Sequence, residues 1–165
     1  MFLVKEKSMG NFDTKRKEMI KKKNDFITKS MDMNDNIDEF DKKRSEVEEG
    51  ISRIPTDLPA ELQDQVNAAI ENTKNSLKEE SKALENTAYE LEKEADEAMD
   101  YADELASDLK NKSKKMSSLS DVPILGSFAE TKSEQLSDQA DQMMDLRKET
   151  QEYQNKLAIK RNKLF

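Results

Sequence analysis

The sequence predicts an all-α fold, an elongated up-down-up antiparallel three-helix coiled-coil bundle with a projecting two-helix arm. Three observations predict it. Apolar residues recur every seventh position through three long segments, and all three prolines lie in or next to the two short breaks between these segments. Charged residues make up 39% of the 165 residues. A disordered chain would share this charge but has no reason to keep a heptad phase, so long helices are the better interpretation.

The first predicted helix spans about residues 12–54 of what we expect to be a single helical domain, 1–165. Its later half adds Ile37 and Ile51 as a second apolar position, whereas the first half is polar there, so the buried face rotates near residues 31–36. Gly50 and Pro55 end the helix. Seven consecutive seventh positions are apolar: Phe12, Met19, Phe26, Met33, Phe40, Val47 and Ile54.

The second predicted helix spans about residues 59–116. Pro59 suits the first turn of a helix, and no proline or glycine follows it up to Met116. The alanines in its second half permit close helix packing. One seam runs along the whole helix, with Ile70, Leu77, Leu84, Leu91, Ala98 and Leu105 at seventh positions and Ala88, Ala95, Ala102 and Leu109 beside them.

The third predicted helix spans about residues 128–165, after a break that contains Pro123 and Gly126. Ser127 and Glu130 fit a capping box at its start. Thr150 interrupts the seam. The seam residues are Ala129, Leu136, Met143, Leu157 and Leu164.

Short turns predict that neighbouring helices are antiparallel. A turn centred near residues 56–57 makes the numbers of facing residues in helices one and two add to about 113. Phe165 would then be level with about residue 80 of helix two and Met33 of helix one. Residues 34–54 and 58–79 would remain as a two-helix arm.

This arm keeps more apolar residues than two helices bury, and the excess predicts a docking groove for a partner helix. The alternative is that the pair closes on itself as a plain two-stranded coil. The candidate partner-binding residues are Ile37, Phe40, Val47, Ile51, Leu62, Val66, Ile70 and Leu77.

The turn between helices two and three is unusually apolar for a loop. One interpretation is that it packs against Phe2, Leu3 and Val4 and closes the bundle. The other is a tip that touches a membrane or a partner. Its apolar residues are Leu119, Val122, Ile124, Leu125 and Phe128.

The chain has no histidine and no cysteine, and it lacks a glycine-rich phosphate loop. These absences remove the commonest general base, thiol nucleophiles and most transition-metal ligands, so we predict no catalytic, cofactor-binding or metal-binding residues and no enzyme. The net charge of −8 argues against nucleic acid as a partner.

The sequence therefore predicts a non-enzymatic, acidic protein–protein interaction module that binds a partner helix or itself through coiled-coil seams. It would act as an adaptor, a chaperone or a targeting segment for a secreted effector or toxin. One alternative is a self-assembling structural or scaffold protein, and a second is a membrane-touching protein acting through residues 119–128. No signal-peptide core or membrane span is evident, so the default location is cytoplasmic, with secretion without a cleaved signal left open.

Overall fold

The computed structural model describes the backbone of residues 2–164 and the side chains of residues 11–164. Three helices, α1 (Phe2–Ser52), α2 (Ala60–Ser117) and α3 (Gly126–Asn162), pack against one another, and residues 2–164 contain no strand. The predicted all-α three-helix bundle is confirmed. Over the described residues, no helix carries an apolar stretch long enough to cross a membrane.

Helix α1 begins ten residues before the predicted start and continues through Gly10 and Asn11. A single glycine costs a helix only about 1 kcal/mol, and the residues around it are mostly good helix formers, so the helix tolerates the interruption. It ends at Ser52, after which the amides of Arg53 and Ile54 donate to carbonyls three residues back.

Helix α3 begins at Gly126, two residues before the predicted start. The amide of Ala129 donates to the Leu125 carbonyl at 2.8 Å, which places Ser127 inside the helix. The predicted capping box of Ser127 and Glu130 is therefore not the start of α3, because the preceding turn supplies backbone carbonyls in its place.

One compact unit consists of residues Met1–Thr28 and Lys93–Gln154. Small alanines of α2 and α3 bring the helices close, and the larger residues fill the space between them. Phe12, Tyr101, Met116 and Leu146 pack partly buried around this core. The core residues are Met19, Ala98, Ala102, Leu105, Ala106, Leu109, Leu136, Ala140 and Met143.

The second compact unit consists of residues Lys29–Glu92 and Asn155–Phe165. The guanidinium of Arg161 fixes α3 to α2 here: its Nε lies 2.7 Å from Glu92 Oε2, and its plane stacks 4.0 Å from the Tyr89 ring. The Glu92 carboxylate raises the pKa of Arg161 further above its ordinary value. The buried apolar residues are Met33, Ile37, Phe40, Ala88, Leu91, Leu157 and Leu164.

Thr150, the polar residue that interrupts the apolar seam of α3, is nevertheless part of the buried face. It is fully buried, and its hydroxyl donates to the Leu146 carbonyl at 2.9 Å. A threonine is tolerated there because its polar group is satisfied within its own helix. Ser30 is also fully buried, and its hydroxyl finds no hydrogen-bond partner among the described residues.

The register of α1 against α2 differs from the prediction by six to ten residues. Tyr101 donates to Glu18 at 2.9 Å, and Lys43 lies 3.0 Å from Glu80, so the contacting numbers add to 119 and 123. Side chains of both helices lean toward their own N-termini. In an antiparallel pair, residues that touch therefore have higher numbers than residues at the same level, and long side chains enlarge the difference.

Candidate partner-binding groove

A groove opens between α1 and α2 at the point where α3 ends. It has a volume of about 300 Å³ and is open to solvent. Phe40, Val47 and Ile51 form its α1 side, Leu77 forms its α2 side, and Leu164 closes one end. The walls are therefore mainly apolar.

The end of the groove is fixed by hydrogen bonds to one carbonyl. The Leu164 carbonyl oxygen accepts a bond from Ser81 Oγ at 3.0 Å and from Arg44 Nη1 at 3.3 Å. One donor comes from each wall, so the chain after α3 is tied to both helices. The Leu164 side chain is buried. These two bonds fix the level at which the chain after α3 lies on both walls of the groove.

The rim of the groove is mostly cationic. Lys74 and Lys78 are exposed, lie one helical turn apart on α2, and form no ion pair within the described part of the chain. Arg44 is held by Asp41 and lies over the Phe40 ring at 5.8 Å. Glu48 is the one acidic residue of the lining. The groove thus offers apolar walls and unpaired positive charge.

The structure separates the predicted partner-binding residues into three groups. Ile37 and Phe40 are buried, and Leu62 is 49% exposed. Val47, Ile51, Val66, Ile70 and Leu77 are half-buried. The groove brings together four of the eight: Phe40, Val47, Ile51 and Leu77.

Ile37 is buried because α3 extends along α1 past Ile37 before it ends. Leu164 meets Ser81 of α2, close to the predicted residue 80, but it meets Arg44 of α1 and not Met33. Lys160 of α3 also pairs with Asp38. Helix α3 therefore covers α1 farther than predicted, because of the register difference described above. Phe165, on which the prediction was based, lies outside the described residues.

Sequence reasoning missed the polar residues of the groove. Ser81 follows Leu77 by four residues, so it occupies a seam position where an apolar residue is expected. A serine at a seam position was the signal in the sequence that another segment could hydrogen-bond there. Lys74 and Lys78 flank Leu77 at distances of three and one in sequence, which places them beside the seam. The part played by Arg44 had no signal in the sequence, because it depends on where α3 ends.

The five residues of the apolar tip are all exposed. Ile124 is 94% exposed and Phe128 is 54% exposed, and Leu119, Val122 and Leu125 are each about two-fifths exposed. The side chains of Phe2, Leu3 and Val4, which one interpretation packs against this tip, lie outside the described residues.

The described residues contain no group of three or more His, Cys, Asp or Glu side chains that could hold a metal ion. Comparison with protein-family models, with curated proteins and with solved structures found no match to this chain.

Proposed function

We propose that this chain is a non-enzymatic protein–protein interaction module whose groove receives one amphipathic helix of a partner, as in an adaptor or chaperone. The observation that carries the proposal is the combination of apolar walls and an unpaired cationic rim where α3 ends. A partner helix would continue the position of α3 between α1 and α2. Its apolar stripe would cover Val47, Ile51 and Leu77.

The rim defines the chemistry of the partner. Lys74 and Lys78 would attract carboxylates placed beside the apolar stripe of the incoming helix. Such pairs contribute little affinity, but they discriminate between partners and set the register. The expected partner segment therefore carries apolar residues at seam positions and glutamate or aspartate at the flanks. Targeting of a secreted effector or toxin is one use of such a module.

Two synthetic helical peptides test the proposal, both with leucine at seam positions, one flanked by glutamate and one by lysine. We expect the glutamate peptide to bind with a Kd roughly threefold to tenfold lower, measured by fluorescence anisotropy. Leu77→Glu should weaken binding at least about tenfold, because it puts a charge in the apolar wall. Ile159→Glu is the matched control, because Ile159 is an exposed apolar residue of α3 outside the groove lining.

A second variant gives a test that does not depend on whether Leu77→Glu folds. Lys74→Glu combined with Lys78→Glu changes only exposed side chains and should reverse the preference, so that the lysine peptide binds more tightly. If neither peptide binds the folded protein, the groove is not a helix site. If both bind and the charge reversal leaves their ratio unchanged, the rim does not select partners.

A further inference from the structure

The apolar turn between α2 and α3 lies next to a cluster of lysines. Lys110, Lys114 and Lys115 are exposed in the last turns of α2, and none of them forms an ion pair within the described part of the chain. Lys112 is paired with Asp108 at 3.0 Å. Residues 110–132 hold five lysines and two acidic residues, a net charge of +3 in a chain of net charge −8.

The turn itself exposes apolar side chains on a backbone that is already hydrogen-bonded. The amides of Leu119, Ser120, Val122 and Leu125 each donate to a carbonyl three residues back, at 3.0–3.1 Å. Moving a backbone amide out of water costs several kcal/mol only when the amide has no hydrogen-bond partner. These four amides keep their partners when the turn leaves water, so they add little to the cost of moving the turn toward an apolar medium.

Close backbone packing also holds the turn in place. Gly126 approaches the Ser120 carbonyl so closely that a Cβ at Gly126 would lie 2.5 Å from that oxygen. The apolar side chains are therefore presented by an ordered turn, with Ile124 outermost at 94% exposure.

From these features we propose that residues 119–128 are a membrane-contacting tip for anionic lipid surfaces. Ile124, Leu125 and Phe128 would enter the boundary between headgroups and acyl chains, and the lysines at the end of α2 would lie against the lipid phosphates. Both halves of the recognition are needed, because a few apolar side chains alone give weak, reversible binding. This proposal uses none of the groove residues, so the two can fail separately.

Flotation with vesicles tests the proposal, using equimolar phosphatidylglycerol and phosphatidylcholine against pure phosphatidylcholine. We expect the protein to float with the anionic vesicles and to be released by salt. Ile124→Asp should lower the partition coefficient at least about tenfold, and so should Lys114→Glu combined with Lys115→Glu. Ile159→Asp is the matched control, since that side chain is 60% exposed in α3, and it should float as the unaltered protein does.

Insertion can be seen directly, because the chain contains no tryptophan. Ile124→Trp provides a single tryptophan, which can be excited selectively at about 295 nm or longer wavelengths that tyrosine hardly absorbs, and its fluorescence should shift to the blue on addition of anionic vesicles, whereas Ile159→Trp should show no shift. The proposal is overturned if the protein fails to float with anionic vesicles, or floats equally with neutral ones. It is also overturned if Ile124→Asp floats normally, because membrane binding would then not use the tip. The exposed tip would in that case be a surface for contact with a protein.

Discussion

At the scale of single residues, two helical glycines, Gly50 and Gly126, differ in the space available for a side chain. A Cβ at Gly50 would meet no atom within 4 Å, whereas a Cβ at Gly126 would lie 2.5 Å from the Ser120 carbonyl oxygen. Neither has a positive φ, so alanine fits both backbone conformations. The effects of the two Gly→Ala substitutions should therefore differ through the atoms that the added methyl group meets.

We expect Gly50→Ala to raise the free energy of unfolding by about 0.5–1 kcal/mol, because alanine loses less backbone entropy in a helix. Gly126→Ala should lower it, since the Ser120 carbonyl must move. Urea denaturation followed by circular dichroism measures both. Equal effects of the two substitutions would contradict the close approach at Gly126.

The phenol of Tyr101 links stability to alkaline pH. Its pKa is raised from 10.0 to about 12, first by burial and then by the hydrogen bond to Glu18 and the negative charge of that carboxylate. Lys22 lies 5.6 Å from the ring centroid. The folded chain therefore keeps the phenolic proton at a pH where the unfolded chain has lost it. The stabilisation is complete below about pH 10 and is lost as the pH rises to about 12.

An ultraviolet titration, read as the difference between the unaltered protein and Tyr101→Phe, should show one tyrosine ionising near pH 12. Over the same range, the free energy of unfolding of the unaltered protein should fall relative to that of Tyr101→Phe. Glu18→Gln should bring the pKa closer to 10. A Tyr101 that ionises at pH 10 in the folded protein would contradict the observed contact.

At the scale of the helix, the two halves of α2 have different surroundings although their heptad pattern is continuous. In residues 88–109 the seam positions are buried, and most of them are alanine or leucine. In residues 60–80 the most buried apolar residues, Val66, Ile70 and Leu77, are only half-buried. A helix with little buried apolar surface gains little from tertiary packing.

Amide hydrogen exchange should therefore be faster for residues 64–76 than for residues 88–109, since local opening costs less where fewer apolar groups are buried. Mass spectrometry of peptides from the two segments measures this difference. A glutamate-flanked peptide bound in the groove should slow exchange around Leu77. Equal protection of both segments in the free protein would show that the first half is covered in solution, for example by a second copy.

At the scale of the whole molecule, charge is distributed in blocks. Residues 31–110 hold twenty-four acidic and nine basic residues, a net charge of −15, whereas residues 1–30 carry +5 and residues 111–165 carry +2. Two copies that associated through residues 31–110 would bring like charges together, which is unfavourable at low ionic strength.

We therefore expect light scattering at low salt to give the mass of a monomer, 19.0 kDa. Addition of salt screens the repulsion, so any weak self-association should increase with ionic strength. A stable oligomer at low salt would contradict this expectation and would favour the self-assembling scaffold over the helix-binding module.

The sequence by itself determined the three helices, their order and most of their buried faces. Heptad spacing is a local property, and each face from Met19 to Phe40, from Ala88 to Leu109 and from Ala129 to Leu164 could be read from single segments. The apolar character of residues 119–128 was equally evident, although their exposure was not.

Only the tertiary structure decided where the groove begins. Its position depends on the level at which α3 meets α1, and the contact of Leu164 lies at Arg44 and not at the predicted Met33. Heptad seams repeat every seven residues, so they fix which face is buried but constrain weakly how far one helix is displaced along another. The contacts that show this displacement, such as those from Ser81 and Arg44 to the Leu164 carbonyl, exist only when the helices have packed.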